Sequence, residues 1–123
     1  MSKVYDLEGR TFKFAQDCRK FCRNVALDMS NKEDTKQLVR SSGSVAANYI
    51  EANESLSKKD FVFRIKICRK EAKECILWLR LIENSNPDLH ALQKELIVEA
   101  EELVKIFSSI VVKSTPKADI TSS

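Results

Sequence analysis

Apolar residues in this chain recur at alternating intervals of three and four through four successive stretches, the period of α-helices that each bury one stripe. In the first stretch Leu7, Phe14, Cys18, Phe21 and Val25 share a face, predicting a helix over residues 7–28 with Asp6 as N-cap. The second, over 32–56, carries Leu38, Ser42, Val45, Tyr49, Ala52 and Leu56. Ser30 followed by Glu33 gives it a capping-box entry, in which side chain and backbone satisfy each other's free donors. The third, over 58–84, has the clearest heptad: Phe61, Ile65, Cys68, Ala72, Cys75, Leu79 and Ile82, entered by Ser57 and Asp60. The fourth opens at Asn86-Pro87-Asp88, where an N-cap, a proline preset for the first turn and an acid near the positive helix end agree. Its stripe is Leu89, Leu92, Leu96, Ala100, Leu103, Phe107 and Ile110.

Two glycines and two prolines in 123 residues leave few turn-makers for a sheet. Connections of a few residues force neighbouring helices antiparallel. The expected fold is all-α, an up-and-down antiparallel four-helix bundle over residues 1–113. The last ten residues, 114–123, have no periodicity, and Pro116 blocks continuation of the helix, so they read as a disordered tail. No run of about 18 apolar residues exists to span a membrane, and the first residues lack the apolar core of a secretory signal. A cytoplasmic protein without membrane association is expected. Cys18, Cys22, Cys68 and Cys75 lie within helical patterns, which suits reduced, buried thiols.

The helices carry more apolar surface than one bundle core needs. Phe63, Ile67, Leu77, Trp78 and Leu81 on the third helix, and Ile97, Val98, Val104 and Ile106 on the fourth, lie off the core stripes. Association of copies into a homo-oligomer uses such surface, with Phe63, Ile67, Trp78 and Leu81 as the expected interface; a wide core with scattered surface groups is the alternative. Small residues around Gly43 suggest close helix approach, or else backbone exposed to a ligand. Arg40, Asn48, Glu51, Glu54, Glu71 and Glu74, near the middle of the second and third helices, suit a network that fixes helix register.

The chain lacks the residues of familiar catalytic sites. One histidine, His90, supports neither a carboxylate-bridged metal pair nor a nucleophile–base pair, and glycine-rich phosphate loops are absent. The cysteines could in principle share a zinc ion, but their place in the apolar stripes favours packing. No catalytic residue, metal or cofactor is expected.

Charge is spread unevenly although the net value is only +3. On the third helix Lys59, Lys66, Lys73 and Arg80 recur every seven residues as one outward line, with Arg69 and Lys70 beside it; Arg19, Lys20 and Arg23 crowd the end of the first. These nine are the candidate nucleic-acid-binding residues, because such a line can follow phosphates. A solvated face, or one complementing the acidic fourth helix of another copy, is the alternative.

The run Lys36-Gln37-Leu38-Val39-Arg40-Ser41-Ser42-Gly43-Ser44-Val45-Ala46-Ala47-Asn48-Tyr49-Ile50-Glu51-Ala52 closely resembles the hallmark of the bacterial 23S ribosomal RNA intervening-sequence proteins. Tyr5-Asp6-Leu7-Glu8 with Thr11-Phe12-Lys13-Phe14-Ala15, then Ser57-Lys58-Lys59-Asp60-Phe61, Ile65 through Glu74, and Trp78-Leu79 are similar to the same family. The resemblance spans about residues 5–112. It implies a four-helix bundle and a homopentameric barrel. A related branch, the accessory variability determinant of diversity-generating retroelements, binds nucleic acid and a reverse transcriptase. The resemblance thus implies RNA or DNA, and a further protein, as partners, and it carries over no catalytic residue.

Overall fold

Four helices account for nearly all of residues 6–115, the part of the chain that the computed structural model describes: α1 (Leu7–Arg23), α2 (Met29–Asn53), α3 (Lys58–Leu81) and α4 (Pro87–Ser114). No strand occurs among the described residues. Each helix packs on the next in sequence, and α4 closes back on α1 over a narrower seam. Side-chain bonds set the antiparallel register of α2 and α3, since Asn31 meets Glu83, Arg40 meets Glu71 and Glu74, and Asn48 meets Arg64. As one helix counts up, the other counts down. Helix α1 thus lies diagonally across the core from α3, and α2 from α4.

The core is made of most of the stripes read from the spacing; Tyr49, Phe61, Leu92 and Ile110 are only partly buried, and Val111 is buried where Ile110 was expected. Phe14, Cys18, Phe21, Leu38, Val45, Ile65, Cys68, Cys75, Leu79, Leu103 and Phe107 are all fully or almost fully buried. Across the diagonal the rings of Tyr49 and Phe107 stand 6.4 Å apart, tilted by 38°. Deleting one of the buried phenylalanines would cost about 3–5 kcal/mol at such sites.

Helix ends depart from the spacing where polar side chains intervene. The first helix stops at Arg23, not residue 28, because the Asn24 amide donates to the Lys20 carbonyl at 2.8 Å and takes over a free acceptor of the last turn. The second starts with Asp28 as its cap, accepting the Asn31 amide at 2.8 Å, so Ser30 lies inside the first turn and its capping-box role is not realised. It ends at Asn53, and Leu56, expected in the core, is fully exposed beyond it. The third begins as expected, with Ser57 Oγ accepting the Asp60 amide, but ends at Leu81 rather than 84. The fourth begins on Asn86, whose side chain accepts from Asp88 and Leu89. It continues through Ser114, one residue into the segment read as tail; from residue 116 onward that tail lies outside the described residues.

The end of the bundle where α1–α2 and α3–α4 connect is tied by two amides. Asn31 Nδ2 donates to the carbonyls of Ala26 and Glu83, and its Oδ1 accepts the Glu83 amide. Gln93 Nε2 donates to the carbonyls of Leu79 and Ile82, the last acceptors of α3. Both side chains are buried, and both stand in for the carbonyl and amide partners that helix ends lack.

Candidate nucleic-acid interface

Helix α3 forms because a capped start leads into 24 residues with neither glycine nor proline and one unbroken apolar stripe facing the core. Two further stripes follow from the same 3.6-residue period. Phe63, Ile67, Glu71, Glu74, Trp78 and Leu81, spaced by three and four, share one flank. Glu71 and Glu74 bond Arg40 of α2, so this flank faces the α2 seam. Lys59, Lys66, Lys73 and Arg80 form the other stripe, roughly 100° further round, toward solvent and α4.

Lys59, Lys66, Lys70, Lys73 and Arg80 are exposed and Arg69 is half-buried. Among the described residues no carboxylate stands within ion-pair distance of any of them. Lys94 of α4 is also exposed and has no ion-pair partner in that set; it follows Gln93, which bonds the end of α3.

The three cations of α1 are placed differently. Arg19 donates to the carbonyls of Ala15 and Val39, at 3.2 and 3.4 Å, and its guanidinium is laid along the α1–α2 seam. Half-buried and bonded to backbone, Arg19 is set apart from the exposed cations of α3. Lys20 and Arg23 are exposed, but on the helix diagonal to α3. The nine cations therefore do not make one surface, and the continuous part is that of α3.

The apolar flank divides into exposed and partly covered members. Phe63 and Leu81 are about half exposed, Ile67 is half-buried, and Trp78 packs partly against the core. The Arg64 guanidinium stands 5.8 Å from the Phe63 ring centroid and also donates to Asn48 Oδ1 at 3.1 Å. The Trp78 Nε1 donor is buried without a hydrogen-bond partner, an uncommon state for a buried indole.

A family model described as 23S rRNA-intervening sequence protein matches residues 5–109. The chain belongs to that intervening-sequence protein family. A crystal structure of a protein of unknown function from the S23 ribosomal protein family of Bacteroides thetaiotaomicron is similar, at 25% identity and a TM-score of 0.70. The match covers 85% of this chain and 96% of that one. No curated protein matches.

In this intervening-sequence protein the run Lys36–Ala52 forms the body of α2, and several of its polar members have structural partners. Arg40 bridges to Glu71 at 3.3 Å and Glu74 at 2.9 Å and donates to Ser41 Oγ. Asn48 donates to Ser44 and accepts from Arg64. Glu51 and Glu54 are exposed and stand outside this network. Gly43 sits under the Arg19 guanidinium, in keeping with the close helix approach expected there.

Concavities also occur elsewhere on the bundle among the described residues. A groove of about 640 Å³ along the α1–α4 seam is crossed by Arg10, which grips Glu99 through both Nε (2.7 Å) and Nη2 (2.9 Å). That pairing keeps the Arg10 guanidinium above its ordinary pKa. A smaller hollow of about 440 Å³ lies over the tied end, beside Asn31 and Asn84. Neither gathers chemistry: among the described residues no cluster of three or more His, Cys, Asp or Glu side chains could hold a metal. Burial pushes the Cys22 thiol up to about 11 and that of Cys68 up to about 12, with Cys18 and Cys75 driven higher still, as expected of thiols packed into a core. No described helix is long and apolar enough to cross a membrane.

Proposed function

We propose that this intervening-sequence protein is a non-catalytic, cytoplasmic nucleic-acid-binding module that works as a homo-oligomer, a pentameric ring in the arrangement that the resemblance implies. The observation that carries this reading is the separation of two surfaces on one helix. The outward line of Lys59, Lys66, Lys73 and Arg80 has no carboxylate partner among the described residues, whereas the α2-side flank offers Phe63, Ile67, Trp78 and Leu81. A field of this kind attracts phosphate, and several copies in a ring multiply it by raising the local concentration of sites. Half-exposed Phe63 and Leu81 support copies meeting on the apolar flank.

Reversing Lys66, Lys73 and Arg80 to glutamate tests the assignment, read by light scattering together with a salt-titrated RNA-binding assay. The oligomer is expected to persist while RNA binding is lost. Dissociation of the oligomer, with no RNA binding by the parent at low salt, would point instead to a protein-interaction scaffold whose cations join subunits.

A further inference from the structure

The composition of the α3 surface says more about the ligand than its sign alone. Four of its six cations, Lys59, Lys66, Lys70 and Lys73, are lysines, exposed on one rigid helix. Lysine is a compact, strongly hydrated point charge that suits phosphate, while bidentate reading of base edges is the work of arginine, asparagine and glutamine. Of the two arginines, Arg69 is half-buried and Arg80 stands at the end of the line. Single-stranded nucleic acids are held in addition by rows of aromatic faces on which bases stack. Here the lone aromatic bordering the line is Phe63, which is already engaged by the Arg64 guanidinium; Trp78 lies on the flank toward α2, with its N–H buried.

Spacing supports the same conclusion. At 1.5 Å per residue, cations seven apart stand about 10 Å from each other, and the line from Lys59 to Arg80 is about 31 Å long. A flexible single strand must be straightened to meet so rigid a row and loses conformational entropy in doing so. A duplex is already stiff over about 150 base pairs and presents one charge per about 1.7 Å of axis. The row needs no rearrangement of such a partner.

We infer that the α3 surface takes a nucleic-acid duplex through its phosphates, without reading base sequence. This rests on the nucleic-acid-binding reading above and narrows it to a class of ligand. The test compares the whole chain's affinity for four fluorescently labelled probes: a 20-base-pair mixed-sequence RNA duplex, the same duplex with its sequence shuffled, the DNA duplex of that sequence, and single-stranded oligouridine of 20 nucleotides.

The two RNA duplexes and the DNA duplex should bind within about three-fold of each other and at least ten-fold more tightly than oligouridine, with log affinity falling at a slope of about −4 against log salt if four phosphates are contacted. In K66Q/K73Q that slope should become shallower by about 2 for each protomer engaged. Equal or tighter binding of oligouridine, or a ten-fold preference for one duplex sequence, overturns the duplex assignment and leaves nucleic-acid binding standing. Failure of all four probes at low salt removes both. Preserved helical circular dichroism in K66Q/K73Q confirms that a lost slope reports contacts and not unfolding.

Discussion

The guanidinium of Arg19 on α1 lies over Gly43 on α2, its Nη2 only 3.1 Å from the place a Cβ at residue 43 would occupy. The contact leaves room for little beyond a methyl group at this place in a 25-residue helix, where glycine costs about 1 kcal/mol relative to alanine. Arg19 donates to the carbonyl of Ala15 on its own helix and, across the seam, to that of Val39.

Alanine at 43 needs the guanidinium tip to yield by only a few tenths of an ångström, and the tip is the free end of a long side chain. Gly43→Ala should therefore stabilise slightly, by up to about 1 kcal/mol in urea unfolding. Gly43→Leu displaces Arg19 and should cost about 1–2 kcal/mol through the two lost backbone bonds. In an Arg19→Ala background that penalty should vanish; a penalty of equal size there would show that Gly43 is required for some other reason.

Gln93 and Asn31 hold the end of the bundle by hydrogen bonds to backbone groups that have few other partners. Gln93→Leu fills similar volume but strips donors from the buried Leu79 and Ile82 carbonyls, and should cost about 2–3 kcal/mol. Asn31→Ala, losing three bonds to two connections, should cost about as much. Hydrogen exchange would show the effect of Asn31→Ala concentrated in residues 24–31 and 82–86. Uniform loss of protection along all four helices would argue that the ties act on global stability alone.

Arg40 and Glu71 are unequal partners. The Glu71 side chain is 8% exposed and that of Arg40 50%, so removal of the arginine strands a buried carboxylate, whereas removal of the acid leaves a cation that water can reach. Arg40→Met should cost about 2 kcal/mol or more, Glu71→Gln less, and the double replacement R40M/E71M should recover much of the loss. Additive losses in that cycle would mean that the pair is not coupled.

Buried thiols make stability sensitive to alkali. Their folded pKa values are raised, Cys22 to about 11 and Cys68 to about 12 from an ordinary 9.0, chiefly by desolvation. Above about pH 9 the unfolded chain releases thiol protons that the folded chain keeps, so the folded state binds more protons and stability falls as pH rises, by up to about 1.4 kcal/mol per pH unit for each fully buried thiol. The contribution is fully present below pH 9 and is lost progressively toward the folded values; half-buried Cys22 contributes least. Urea midpoints at pH 8.5 and 10.5 should diverge less in C18A/C75A than in the parent chain. Equal divergence would assign the alkaline loss to other groups.

Most of the core was legible because burial in a helix bundle follows a fixed period. Residues such as Phe14, Val45, Cys68 and Phe107 could be placed inward from spacing alone, and all are buried. Leu56 shows the limit: its spacing fits the second stripe, yet the helix ends at Asn53 and the residue is fully exposed. The cap at Asp28 was equally hidden, since Asp28 and Ser30 are both competent caps and the choice goes with a buried Asn31 that also reaches Glu83, 52 residues away.

The candidate interface divides along the same boundary. That Lys59, Lys66, Lys73 and Arg80 share a face is a property of one helix, and the sequence determined it along with the four stripes, the antiparallel connections and the family. That Arg19 lies along a seam and that Lys20 and Arg23 stand on the helix across the diagonal depended on which helices touch. Periodicity states which side of each rod is buried; only packing states which rods stand beside one another, because that depends on long-range contacts such as Arg19 with Val39 and Gln93 with Leu79 that no local pattern encodes.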